Sequence, residues 1–161
     1  MFRRQEMSAA YDGAVAAVFT ALCRTLAFRR WHLAADSDGG EIPRQTMSYR
    51  YQTGSVRRAG RVVEVVRPVA LTLKEVLHDP PCRVILTMRW RVEPMASGCT
   101  VRLAASYRLD RTAILRRRHW DERLRLNFRN QFTFLAVNLG RMQQEARSGD
   151  LRVAKRDFKQ A

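Results

Sequence analysis

Between residues 46 and 109 the sequence alternates apolar and polar side chains in five consecutive segments, and this run constrains the fold more than any other feature. Thr46 to Gln52 puts Met47, Tyr49 and Tyr51 on one face. Arg61 to Arg67 is rich in valine and stops at Pro68. Ala70 to Leu77 puts Leu71, Leu73 and Leu77 on one face, with Thr72 and Lys74 on the other, and Asp79-Pro80-Pro81 makes a turn. Arg83 to Glu93 sets Val84, Leu86, Met88, Trp90 and Val92 against Arg83, Thr87, Arg89, Arg91 and Glu93. After a turn at Pro94 to Gly98, Thr100 to Leu109 sets Val101, Leu103, Ala105, Tyr107 and Leu109 against Arg102, Ser106 and Arg108. Strands that alternate this cleanly have one wet face. Segments in series with short turns therefore predict an antiparallel sheet covered on one side.

The cover is expected to come last. Thr112 to about Arg147 holds no proline and one glycine, Gly140. Leu124, Phe128, Phe132, Leu135, Leu139 and Met142 step by three or four, the spacing of one helical face. Such a helix spans roughly 50 Å, enough to cross a sheet. Asp110 or Thr112 can cap its start. Near the other end, Gln5 to Tyr11 reads as a strand broken by Asp12-Gly13. Val15, Val18, Phe19, Leu22, Cys23 and Leu26 then form a helical stripe ending near Ala27. Asp36 to Gly40 is a loop by composition. The predicted class is α+β: a curved antiparallel sheet of about six strands wrapped on a long C-terminal helix, with a shorter helix after the first strand. At 161 residues one domain is expected, over 1–148, followed by a short, basic, mobile tail over 149–161.

Hydrophobic residues at 46% and charged residues at 28% exclude a disordered or fibrous chain. Charge is the outlier, at +15. Among the 30 basic residues only Lys74, Lys155 and Lys159 are lysine, a skew that GC-rich coding alone produces. From Arg111 onward there are 13 basic and 5 acidic residues, about twice the basic excess per residue of the rest. Clustered arginine can follow phosphates of nucleic acid or an anionic membrane face. No zinc-finger, RNP-like or basic-zipper pattern accompanies it, so a nucleic-acid role is the lesser reading. Cys23, Cys82 and Cys99 form no C-x-x-C pair and read as small apolar fillers in a reducing, cytoplasmic setting. No apolar run is long enough to span a membrane. Met1-Phe2-Arg3-Arg4 imitates the start of a signal peptide, but Glu6 and Asp12 interrupt it, and Ala14 to Cys23 reads as a helix face.

The order of strand, helix, meander and long C-terminal helix resembles the START-like, or helix-grip, superfamily. That group includes birch-pollen-allergen-like proteins, polyketide cyclases and lipid-transfer domains. The resemblance covers roughly Gln5 to Arg147. Ala14-Val15-Ala16-Ala17-Val18-Phe19-Thr20-Ala21-Leu22 looks like its opening helix, although Asp12-Gly13-Ala14 replaces the small-Pro pair that often precedes it. Gly60-Arg61-Val62-Val63-Glu64-Val65-Val66-Arg67-Pro68 looks like its central hairpin. Trp90-Arg91-Val92-Glu93-Pro94 and Gly98-Cys99-Thr100-Val101-Arg102-Leu103 look like its last one. The resemblance implies a sheet gripping the helix around a cavity that binds a hydrophobic small molecule (a lipid, quinone or polyketide), in some members with cyclisation. It implies no obligatory cofactor, and a fold alone selects no function.

Candidate site residues follow from inward parity. Met47, Tyr49, Tyr51, Leu73, Leu86, Met88, Trp90, Leu103 and Tyr107 are expected to line the cavity from the sheet, and Phe128, Gln131, Phe132 and Leu135 from the helix. Glu75 shares the parity of Leu71, Leu73 and Leu77. Unpaired inside, its carboxyl would have a raised pKa and could act as acid or base with a tyrosine in a cyclase or dehydratase. The competing reading is a bulge, or an ion pair with an inward arginine such as Arg61. Asn127, Asn130, Gln131 and Asn138 lie on the long helix; Gln131 and Asn138 are close in angle to Leu135 and Met142 and can face the cavity, the competing reading being exposed amides, and the tyrosines read equally as core filling. His32, His78 and His119 are scattered without metal-ligand spacing, so no metal is expected. Arg116-Arg117-Arg118, with Arg123, Arg125 and Arg129, reads as a solvated helix end, or as a contact for RNA, a lipid headgroup or an acidic partner. Nothing in the pattern specifies an oligomer.

Overall fold

Two valines three residues apart, Val62 and Val65, face the same side of the sheet because Val63 bulges between them. This irregularity sits in a meander that is otherwise in strict register. The computed structural model describes residues 1–31 and 42–160. Its strands are β1 (Phe2–Tyr11), β2 (Ser48–Thr53), β3 (Val56–Val66), β4 (Ala70–Asp79), β5 (Cys82–Pro94) and β6 (Cys99–Leu109). Its helices are α1 (Val15–Ala27), α2 (Arg111–Leu115) and α3 (Arg117–Gln160). The strands form one antiparallel sheet in the order β1-β6-β5-β4-β3-β2. Strands β2 to β6 are sequential neighbours, and β1 closes the far edge against β6 along its whole length.

Local chemistry sets the turns. Gly54 takes a positive φ of 61° in the two-residue link between β2 and β3, as a tight hairpin requires. Gly98 has φ of 82° in the β5–β6 turn, and a Cβ there would lie 2.2 Å from the Tyr11 carbonyl oxygen, so β1 can pass only a glycine.

One face of the sheet is buried across its central strands. From β4 it contributes Leu71, Leu73, Glu75 and Leu77, and from β5 Val84, Leu86, Met88, Trp90 and Val92. From β6 it contributes Val101, Leu103, Ala105, Tyr107 and Leu109. Against it lie the stripe Val18, Phe19, Leu22, Cys23 and Leu26 of α1 and the stripe Trp120, Leu124, Phe128, Phe132, Leu135 and Leu139 of α3. The two helices pack on each other, and Asn138 Nδ2 donates to Thr25 Oγ1 at 2.9 Å between them. Burying a large apolar side chain contributes about 1.5–3 kcal/mol, so this layer dominates stability.

Several expectations need correction. The C-terminal helix is divided: Asp110 accepts from the Ala113 amide at 2.7 Å and starts the short α2, and Arg116 (φ −103°, ψ 26°) separates it from α3. Nor does the helix end near Arg147. It continues to Gln160 through the segment expected as a tail, because one exposed glycine, Gly149, costs a helix only about 1 kcal/mol relative to alanine. Strand β3 starts at Val56, five residues before the valine-rich stretch, and this brings Arg58 onto the inward face. Arg61, the arginine expected inside, is exposed on the outer face opposite Lys74. The loop at Asp36 to Gly40 and His32 lie outside the described residues.

Candidate ligand-binding site

One row of side chains crosses the inward face from edge to edge: Arg3, Tyr107, Leu86, Glu75, Gly60 and Tyr49. The glycine explains what happens at its end. Without a side chain at Gly60, the Tyr49 ring lies flat across β3 and its hydroxyl donates to Glu75 Oε1 at 2.9 Å on β4. The next row brings Tyr51 opposite Arg58. Arg58 Nη1 donates to Glu75 Oε2 at 3.3 Å and to the Tyr51 hydroxyl at 3.1 Å, and that hydroxyl donates to Glu75 Oε1 at 3.4 Å. The last member comes from the end of α1. There the Arg30 amide donates to the Ala27 carbonyl, turning the chain back under the sheet, and Arg30 Nε donates to Glu75 Oε1 at 2.7 Å. Both guanidinium carbons lie within 5.5 Å of the Tyr51 ring centre. Trp31 closes the group with an edge-on contact to Tyr49.

The cluster is buried: Glu75 is 0% exposed, Arg30 5% and Arg58 4%. Burial by itself would push the Glu75 carboxyl up. The two guanidiniums and the hydrogen bonds from Arg30 and Tyr49 outweigh that and hold it below the usual carboxylate range. Burial and then the neighbouring carboxylate raise Tyr49, and burial raises Tyr51 despite the arginines beside it. Among the described residues, two cations thus face one anion. Among the described residues, Arg30 Nη2 and Arg58 Nε are buried with no hydrogen-bond partner. An unpaired buried donor is expensive, and one on a charged group more so.

The tyrosines yield a direct test. All four (Tyr11, Tyr49, Tyr51 and Tyr107) have raised pKa values, Tyr11 to about 12 by burial. A phenol whose folded pKa exceeds its unfolded value of about 10 stabilises the fold fully below pH 10, and that stability is lost as pH rises. Phenolate absorbance near 295 nm is therefore expected to stay low in the native protein at pH 10 and to appear together with alkaline unfolding. Tyrosines titrating near pH 10 in the folded protein would contradict the buried hydroxyls.

The structure brings some predicted site residues together and keeps others apart. Tyr49, Tyr51 and Glu75 form one group. Trp90 and Phe132 pack at a tilt of 44° with ring centres 5.4 Å apart, and the Trp90 indole nitrogen is buried without a partner among the described residues. Met47, Leu73, Leu86, Met88, Leu103, Phe128 and Leu135 are buried between sheet and helices, and Gln131 is half-buried, bonded to Asn127. Tyr107 is committed elsewhere. Its hydroxyl donates to Asp121 Oδ1 and accepts from Gln5, while Arg3 pairs with the same aspartate at 2.6 Å, bolting β1 and β6 to α3. Arg30 and Arg58 were not anticipated. Arg58 shares the parity of Val56 and Val62, a readable signal once β3 is extended. Arg30 follows a helix end and carries no periodic signal. No group of His, Cys, Asp and Glu able to hold a metal ion occurs among the described residues.

No family model matches the chain, and no curated protein matches it by sequence. Solved structures do match it. Protein MLL2253 from Mesorhizobium loti is 16% identical with a TM-score of 0.63, over 86% of this chain and 98% of its own. Ara h 8.0201 is 11% identical with a TM-score of 0.60, over 86% and 98%. CalU16 from Micromonospora echinospora is 17% identical with a TM-score of 0.59, over 95% and 87%. At such identities the likeness is one of architecture, and the architecture is the helix-grip fold: a curved six-stranded antiparallel sheet closed by a long C-terminal helix.

Proposed function

We propose that the protein binds a hydrophobic or aromatic small molecule, such as a lipid, quinone or polyketide, between the sheet and its helices, as a carrier, sensor or chaperone of that ligand. One observation carries the reading. A polar group with incompletely satisfied donors sits inside an otherwise apolar, aromatic-walled interior, the composition of a site that orients a ligand. Acid–base catalysis by Glu75 with a tyrosine is the weaker alternative. A carboxylate ionised by two guanidiniums, with its oxygens already accepting from Arg30, Arg58 and Tyr49, is a poor proton donor at neutral pH and has little freedom as a base. Three buried cysteines fit a reducing compartment, in keeping with a cytoplasmic address. No helix among the described residues is long and apolar enough to cross a membrane.

A second reading, a basic interaction module, gains one specific observation and shifts its location. On the outer face of the sheet Arg91 lies directly opposite Arg102, a like-charge pairing that costs stability. Arg89 joins them around an open hollow of about 480 Å³ that also contains Glu6 and Glu93. Contact there with a polyanion would weaken steeply with salt.

Native mass spectrometry of freshly purified protein, with extraction of whatever denaturation releases, separates the two. A co-purifying lipid, quinone or polyketide is the expected result. Bare protein that carries nucleic acid only at low salt would favour the outer face. Bare protein that also fails to take up N-phenyl-1-naphthylamine would contradict the interior site.

A further inference from the structure

Charge counting across the buried cluster specifies the ligand further, on the reading that the interior is a binding site. Arg30 and Arg58 bring two positive charges and Glu75 one negative, in a place where none of the three is more than 5% exposed. Other carboxylates among the described residues are engaged elsewhere. Asp121 pairs with Arg3, Asp79 with Arg123 and Glu93 with Arg102, while Asp110 caps α2. Tyr49 and Tyr51 do not supply the missing anion, since their raised pKa values keep them neutral. A surplus guanidinium out of water is costly unless an anion meets it. The free donors, Arg30 Nη2 and Arg58 Nε, belong to the two side chains that share the Glu75 carboxylate.

We propose that this site takes a hydrophobic anion, an apolar or aromatic body bearing one acidic oxygen group such as a carboxylate or an ionised enol or phenol, held by the free N–H groups of Arg30 and Arg58. Glu75 is then a positioning residue. It fixes the two planar donors while compensating only one of their charges. Tyr51, between them, supports both guanidiniums against its ring. Selection is expected to be for charge as well as for apolar size. A planar oxyanion matches a guanidinium fork better than a neutral carbonyl does.

Two fluorescent probes of nearly the same skeleton test this: 8-anilinonaphthalene-1-sulfonate, which carries an anion, and N-phenyl-1-naphthylamine, which does not. Binding is measured by titration in roughly 0.15 M and 1 M salt, where screening over about 8 Å and 3 Å suppresses surface attraction far more than a buried pair. The expected result is a preference of about tenfold or more for the sulfonate that survives high salt. Arg58→Gln and Arg30→Gln should each remove most of that preference while keeping affinity for the neutral probe. Equal affinities in the wild type, or a preference that persists in both folded variants, would overturn the anion assignment and leave the interior site standing. Where a variant fails to fold, the salt series decides: a preference that collapses at 1 M belongs to the surface and overturns the assignment. Failure of both probes to bind would instead overturn the interior site itself.

Discussion

Replacing Glu75 by glutamine is expected to destabilise the protein by about 3–5 kcal/mol, because it removes the carboxylate that both buried guanidiniums share among the described residues. That is a fifth or more of the roughly 5–15 kcal/mol that holds a typical domain together. The measurement is urea unfolding followed by tryptophan emission, in which Trp31, in contact with Tyr49, reports from the cluster itself. The loss should fall mainly on the midpoint. It should also depend on pH. A carboxyl held below its usual range contributes stability above the unfolded pKa of about 4.3 and loses it as pH falls further. The wild type is therefore expected to converge on the variant under acid, and the difference between them to be fully present at neutral pH. A variant as stable as the wild type at pH 7 would mean that the two arginines find another anion within the fold.

The second large effect is expected at a residue with no chemistry of its own. An alanine Cβ at position 60 would lie 2.5 Å from Tyr49 Cζ and 2.6 Å from its hydroxyl, distances no real contact tolerates. The ring must leave the floor of the sheet, and the 2.9 Å hydrogen bond to Glu75 goes with it. Overpacking at about 1–3 kcal/mol and a lost hydrogen bond to a charged group at about 1.5–3 kcal/mol together place Gly60→Ala at about 2.5–6 kcal/mol. Tyr49→Phe removes only the hydroxyl and should fall within the lower range. The double variant should cost clearly less than the sum, since both changes break the same bond. Strict additivity would show that Gly60 is not there for Tyr49.

Periodicity made most of this architecture legible. Period-two alternation from Thr46 to Leu109 gave the inward side chains of β2, β4, β5 and β6, and the period of three and four gave the buried stripes of α1 and α3. What it missed lies where one local rule yields to another. The bulge at Val63 breaks parity inside β3, so a run of valines does not show which of them point inward, and Arg58 lies before that run, where the valine pattern does not reach. The helix after Leu109 shows no gap in its pattern. Its division at Arg116 comes from Asp110, which is tied to the Arg83 amide as well as to Ala113 and so fixes where α2 must start.

Half of the candidate cluster could be read and half could not. Tyr49, Tyr51 and Glu75 share an inward face by parity, and an ion pair was one of the readings open for Glu75. Its partners were not legible. Arg30 reaches the cluster from 45 residues away, past the end of α1, through a placement that only tertiary structure supplies. Arg61 is nearer the valine-rich stretch and is the more obvious choice, yet register turns it outward. Tyr107 shows the converse. Its parity is right, but Asp121 on α3 claims its hydroxyl.

The central claim is that these buried charges serve a ligand rather than the stability of the fold, and one triple variant separates the two. Arg30→Met, Arg58→Met and Glu75→Leu together keep similar volumes and remove every charge in the cluster. Exchanging a buried ionic group for packed apolar residues is commonly neutral or stabilising by about 1–4 kcal/mol. Urea unfolding of this variant beside the wild type, with sulfonate probe binding on the same samples, is the decisive measurement. The account predicts a midpoint at or above that of the wild type and loss of the anionic probe's advantage. A triple variant that unfolds readily, or that keeps the full preference for the anion, would contradict it.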